Sequence, residues 1–291
     1  MQKAESKRRG MVNVLRLRLG MIGGWTEKDF QYLAKKDLHY VEYCINFYNN
    51  ADEFAAQVPQ IKEWSEKYDV KIGSMGRWGE QIQNEDGTMN EELFKNHFTL
   101  IEAAGKLGCP VYNCGVNYVE KRSFVDNCAF AIDALRKLVA FGAEHGVKVA
   151  VYNCSWYNFI YDPKAWSVII PAVPGLGIKY DISHAMGRGS DYMAEILDWA
   201  KYFYHIHLKG CLYIKGAHYD DPPMGLDQVN WGAFFNMLYT KGYNGMVSLE
   251  PHSGYWQGPL GEWGVDFSIK YARQFIMPDS YEEFNDKIYA P

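Results

Sequence analysis

Three short stretches carry the side chains best suited to chemistry: "YDISH" at 180–184, "FYHIHLKG" at 203–210 and "SLEPH" at 248–252. In the second, Phe203, Tyr204, Ile206 and Leu208 favour a strand, whose period of two turns His205, His207 and Lys209 to one face. Asp181 and Glu250 each close an apolar, strand-like run, with His184 and His252 just behind them. Singly, each has an ordinary role: a carboxylate after a strand caps a helix, and a strand histidine is satisfied in a core. Glu250 before Pro251 is harder to explain that way. The recurrence of such groups at the ends of three consecutive strands points to one shared polar site. Two carboxylates and an imidazole form a hard oxygen and nitrogen donor set suited to Mn²⁺, Mg²⁺, Co²⁺ or Zn²⁺. Asp181, His207 and Glu250 are therefore the expected metal ligands. Such a cation would polarise a carbonyl and acidify the neighbouring C–H, with Glu250 as the base. His184 and Lys209 are the candidates to position substrate or carry a second proton.

Something must bring these ends together. From Leu15 onward, β-rich runs alternate with helical patterns. The expected strands are 15–22, 39–45, 70–75, 110–114, 147–154, 177–181, 202–209 and 245–250. Between them lie amphipathic segments such as "ADEFAAQVPQIKEWSEKYD", "EELFKNHFTLIEAAGKLG" and "SFVDNCAFAIDALRKLVAFGAEHG", the last stopping at Gly146. "VYNCG" and "VYNCS" recur in successive units. Alternating strand and helix predicts a parallel sheet, and eight units match a single closed (β/α)8 barrel over 15–277. An open doubly wound sheet is the other fold, but no GxGxxG turn follows any strand. In a barrel the strand C-termini form one mouth, which gathers Asp181, His207 and Glu250.

At this point the sequence resembles the xylose-isomerase-like barrels, a family of sugar isomerases, ketose epimerases and the endonuclease IV group. The segments carrying the resemblance are "YDISH", "HIHLKG", "GLDQVNW" and "SLEPH", and it spans roughly 15–277. It implies that Asp181, His207 and Glu250 are metal ligands and that His184 contacts substrate. It also implies a fourth ligand, a glutamate, ending the preceding strand. Here that strand reads "VKVAVYNCSW" and the matching position is Tyr152. A phenol with an ordinary pKa of about 10 is a poor ligand for a hard cation. Asn153 offers a neutral carbonyl, but the pleat turns it away from the mouth. Metal affinity should fall, and a two-glutamate proton shuttle cannot operate. Isomerisation or epimerisation next to a sugar carbonyl is the expected reaction. The alternatives are β-elimination from a keto-glycoside, and a non-catalytic sugar-binding or partner subunit that has lost the full metal site. The endonuclease branch fits poorly, since it needs further ligands and a DNA-binding surface.

Aromatic residues make up 16% of the chain, and Trp25, Trp78, Trp156 and Trp256 follow strands where rings could stack on a sugar. Trp64, Trp166 and Trp199 lie in helical patterns and are expected in the core. The expected substrate contacts are Tyr152, Asn153, Trp25, Trp156, His252 and Gln228. "AHYDDPPMGLDQVNW" reads as a long loop, with Asp221 within reach of a sugar and Asn230 capping the next helix. Glu42, ending strand two, is a minor mouth candidate. The chain has 291 residues and a net charge of −5, which gives no support to a nucleic-acid partner, since that calls for a strongly basic face. No apolar run approaches a membrane span. Six cysteines without CxxC spacing read as reduced thiols of a cytoplasmic protein, and Cys114 and Cys154 as buried rather than nucleophilic. There is no GxSxG elbow and no Walker loop. Residues 1–14 read as a disordered leader. The acidic tail over 278–291 is compatible with docking on a second subunit of a homo-oligomer.

Overall fold

The computed structural model describes residues 16–277, so the expected leader and tail lie outside the described residues. Eight parallel strands close into a barrel, with helices outside. In chain order the strands are β1 (Arg18–Ile22), β2 (Tyr40–Asn46), β3 (Lys71–Trp78), β4 (Val111–Cys114), β5 (Lys148–Tyr152), β6 (Gly177–Asp181) and β7 (Phe203–Leu208). A hairpin of β8 (Leu212–Ile214) and β9 (Ala217–Asp220) follows, and β10 (Met246–Leu249) completes the ring between β7 and β1.

The strands alternate, and the apolar half of the alternation faces outward. Val41, Tyr43 and Ile45 of β2, Val149 and Val151 of β5, Ile178 and Tyr180 of β6, and Val247 and Leu249 of β10 are buried in the core beneath the helices. The other half faces the barrel axis and is polar in its upper part: Glu42, Ser74, Asn113, Lys179, Asp181, His205, His207 and Ser248 are all buried. Most (β/α)8 interiors are filled by branched aliphatic residues. This one is lined by hydrogen-bonding groups, and Glu42, Asn113, Asp181, His205 and Ser248 each keep one buried polar atom without a partner.

The outer helices follow their sequence signals. Phe124–Glu144 is capped by Ser123, which accepts from the Asp126 N–H, and the chain leaves it through Gly146 at φ 70°. Asn230 caps Trp231–Thr240 as expected. Trp166 is fully buried and its indole N–H donates to the Ile160 carbonyl at 3.0 Å, while Trp64 and Trp199 pack partly buried against the core. The segment 51–69 forms two helices, Ala51–Ala56 and Val58–Tyr68, because Pro59 in the first turn of the second cannot continue the first. The stretch expected as one long loop after strand seven contains β9. Lys215 and Gly216, both at positive φ, make a two-residue turn that folds β9 back on β8. Among the described residues no helix is long and apolar enough to cross a membrane.

Candidate active site at the barrel mouth

The strand registers set the site. Asp181 pairs with His207 across β6 and β7, His207 with Ser248 across β7 and β10, and Tyr152 with Lys179 across β5 and β6. Period two then places Lys179 and Asp181 of β6, and His205 and His207 of β7, on the inner face. Lys209 and Glu250 extend the same rows just past the ends of their strands.

His207 is the centre of the cluster. Its Nε2 donates to Glu42 Oε2 at 2.8 Å and its Nδ1 to Glu250 Oε2 at 2.6 Å. Carboxylates only accept, so both ring nitrogens carry hydrogen and the ring is an imidazolium. Burial disfavours that charge, but Glu42, Glu250 and Asp181 outweigh burial and the repulsion of Lys179, and raise the pKa to about 10. His205 donates through Nε2 to the same Glu42 oxygen at 2.7 Å; burial dominates there and lowers its pKa. Burial alone would raise the Glu42 pKa, yet the two histidines hold it well below the usual range. Glu250 is held at about 2: burial opposes ionisation, and His207 and Lys209 overcome it.

Asp181 divides its two oxygens. Oδ1 accepts from the Ser183 N–H at 2.8 Å and the Ser183 hydroxyl at 2.7 Å, capping the short helix Ile182–Gly187. Oδ2 is buried and makes no hydrogen bond. Around it stand His184 Nε2 at 3.5 Å, His207 Nδ1 at 3.7 Å, and the ammonium groups of Lys179 and Lys209, each at 3.8 Å. Burial works against its charge, but Lys209, His184 and Lys179 hold Asp181 ionised far below the ordinary range. Burial also lowers His184 to about 4, so this imidazole is neutral near pH 7. Lys209 is buried, a loss that its attraction to Asp181, Glu250 and Asp221 more than offsets.

A cavity of about 660 Å³ opens over the cluster. Lys179, His184, His207, Lys209 and Glu250 line one side, Trp78 and Trp156 another, and His252 the rim. His252 donates through Nδ1 to Asp221 at 3.0 Å, which also takes His218 at 2.8 Å. A smaller cavity beneath Trp256 adjoins it and shares Glu250 and His252, but His207 does not line it.

Not every expected contact lines this cavity. Tyr152 faces inward but is buried: its ring stacks on Trp78 at 5.5 Å and its hydroxyl donates to the Trp156 carbonyl. Asn153 spends its amide on β6, accepting from the Asp181 N–H at 2.9 Å and donating to the Asp181 carbonyl at 2.8 Å. Trp25 turns away and packs edge-on against Tyr43 and Phe54. Gln228 is bound to the backbone of Tyr213 and braces the hairpin. Burial raises the thiol pKa values of Cys114 and Cys154, so neither is poised as a nucleophile. Lys179 was absent from the expected set, although its place two residues before Asp181 was the signal for it.

Gly210 matters to this geometry, since a Cβ there would overlap the Pro222 carbonyl oxygen. Gly210→Ala should push the 220–223 segment outward, with Asp221 leaving Lys209 and His252. The overpacking should cost about 1–3 kcal/mol in urea unfolding. An unchanged midpoint would show that the segment yields freely.

Asp181, His207 and Glu250 offer atoms within 4.8 Å of one another, and Glu42, His205 and His207 do the same, so both are candidate metal-ligand groups. In this arrangement neither fits a divalent cation well. His207 Nδ1, the nitrogen shared with Asp181 and Glu250, already donates to Glu250, and its Nε2 to Glu42. The free Asp181 oxygen faces two ammonium groups, and Tyr152 adds no anion.

Solved structures share this architecture. D-psicose 3-epimerase with D-tagatose, from Clostridium cellulolyticum H10, superposes with a TM-score of 0.73 at 12% identity, covering 90% of this chain and 100% of that one. D-allulose 3-epimerase from Methylomonas sp. gives 0.72 at 15% identity, covering 90% and 98%. A 3-keto-D-glucoside 4-epimerase from E. coli gives 0.69 at 13% identity, covering 89% and 100%. At such identities the likeness establishes the fold. No curated protein matches the chain in sequence. The sequence model described as xylose isomerase-like TIM barrel matches residues 30–271. The chain belongs to the xylose isomerase-like TIM barrel family.

Proposed function

We propose that the protein abstracts a proton next to the carbonyl of a sugar or sugar derivative, as an isomerase or epimerase does. The observation that carries this reading is the unpartnered, buried Asp181 oxygen held between the ammonium groups of Lys179 and Lys209, two side chains that line the mouth cavity. An α-hydroxy ketone or aldehyde offers the matching pair: a hydroxyl to donate to Asp181 Oδ2 and a carbonyl oxygen to accept from Lys179 or Lys209. The solved structures with this fold include epimerases of psicose, allulose and a keto-glucoside, which supports a sugar as substrate.

In this reading Glu250 removes the proton. The C–H electrons move into the new C=C bond, and the carbonyl oxygen gains charge beside the ammonium groups. A carboxylate at about pKa 2 is a weak base, made so by His207 and Lys209. A substrate oxygen that draws either cation away raises its basicity at the moment of binding. Neutral His184 is the second acid–base group. Return of the proton by Glu250 to the neighbouring carbon, with the hydroxyl proton passing to the former carbonyl oxygen, isomerises; delivery of the His184 N–H proton to the opposite face epimerises, and the proton left on Glu250 then passes back to His184 through solvent. Trp156 and His252 would contact the sugar, and Tyr152 and Asn153 would hold Trp78 and Asp181 in place. A divalent cation, expected from the sequence, would add Lewis-acid polarisation of the carbonyl; the poor fit described above keeps it out of these steps.

The test is proton NMR in D2O with a panel of ketohexoses, aldohexoses and 3-keto-glycosides. Loss of the C–H signal beside the carbonyl, dependent on the protein, is expected for at least one of them. Exchange with none of the panel by folded protein would sink the reading and leave a sugar-binding barrel.

A further inference from the structure

We propose that the ammonium groups of Lys179 and Lys209 fill the charge position over Asp181 that a divalent cation would occupy, so that the site is complete without one. The inference goes beyond the proposed reaction, because it concerns which positive charge the barrel holds, whatever it binds.

Position comes first. Lys179 is 2% exposed and Lys209 6% exposed, on neighbouring strands, and both reach the same Asp181 oxygen at 3.8 Å. That spacing is longer than a hydrogen bond, so an intervening oxygen atom can bridge oxygen and nitrogen. A lysine pointing into a barrel is costly unless paired. The two here converge on one atom that accepts from nothing else.

Charge gives the second argument. Glu42, Asp181 and Glu250 bring three negative charges. Lys179, Lys209 and the doubly donating His207 bring three positive ones. These six charges balance one another, while Asp221, 4.0 Å from Lys209, is bonded to His218 and His252 at the rim. A divalent cation would add two positive charges, or a net one if His207 gave up the Nδ1 proton to bind it. Either adds positive charge beside two ammonium groups that already face the Asp181 oxygen. The inward neighbour of Lys179 on β5 is Tyr152, a neutral phenol donating to a backbone carbonyl, so no further anion calls for more positive charge.

The experiment reads metal rather than turnover, which keeps it separate from the reaction proposed above: either can fail alone. Wild-type protein is purified without chelator from medium supplemented with Mn²⁺ and Co²⁺, then assayed by elemental analysis. Its Tm and its Kd for added Mn²⁺ are also measured. Expected are far less than one metal per chain and a Tm that Mn²⁺ does not move. Lys179→Met removes one ammonium at similar length. It should tighten Mn²⁺ binding on the order of a hundredfold or more, as loss of a unit charge about 4 Å away implies. Added Mn²⁺ should then raise the Tm, and Co²⁺ should develop visible absorption. Lys179→Arg, which keeps the charge, should resemble wild type. Near-stoichiometric metal in the wild type overturns the proposal even if Lys179→Met fails to fold. A folded Lys179→Met with unchanged Mn²⁺ affinity overturns it as well.

Discussion

Replacing Glu250 by Gln is expected to slow proton exchange beside the substrate carbonyl by about 10²–10⁴-fold, the usual contribution of a positioned general base. The substitution is close to isosteric. The Gln carbonyl can still accept the His207 Nδ1 hydrogen that Glu250 accepts at 2.6 Å, so the ring keeps its place. What is lost is the ability to take a proton. Substrate binding in this reading depends on Asp181, Lys179 and Lys209, which the change leaves intact. The fall should therefore appear in kcat, with KM nearly unchanged. NMR exchange rates at saturating and subsaturating sugar separate the two. A loss confined to KM, or a decrease of less than about tenfold, would remove Glu250 from the role of base.

Much of this was legible in the sequence because two periodicities do most of the positioning. Strand alternation in "FYHIHLKG" put His205, His207 and Lys209 on one face, and the barrel made that face internal. The same rule applied to "GIKYD" yields Lys179 beside Asp181. Only the closed barrel shows that this lysine is internal. Glu42 was legible only as a mouth residue; its part as the acceptor shared by two histidines depends on β2 and β7 facing each other across the barrel, which sequence distance conceals. The aromatic residues after strands were the least predictable. Trp25 and Trp156 occupy similar places in the chain, yet one packs on Tyr43 and Phe54 and the other lines the cavity. Loop geometry sets such directions, and no periodicity reports it.

The largest stability effect should follow from the same cluster, through pH and through Glu42. Folded His207 keeps its proton up to about pH 10, against an ordinary value of 6.5. Its stabilisation is fully present below 6.5 and is lost as pH rises through 10. The groups facing the ring from the surrounding strands are Glu42, Lys179, Asp181, His205 and Glu250, and none of those carboxylates titrates in that window. Acid works the other way. His97, on the buried face of the helix Glu91–Lys106 and hydrogen-bonded to Tyr112, is lowered by burial to about 3, and His184 to about 4. Below 6.5 the unfolded chain binds protons that these folded residues refuse, so stability falls as pH drops toward 4. Urea unfolding across pH 4 to 10 should thus peak near pH 6 to 7 and lose a few kcal/mol on each side. Glu42→Gln should cost about 3–5 kcal/mol at pH 7, since it leaves a buried imidazolium short of its main counter-charge. It should also flatten the alkaline limb, because without Glu42 the His207 proton is released closer to its ordinary value. A Glu42→Gln variant that loses stability but keeps the full alkaline slope would show that His207 draws its charge from elsewhere.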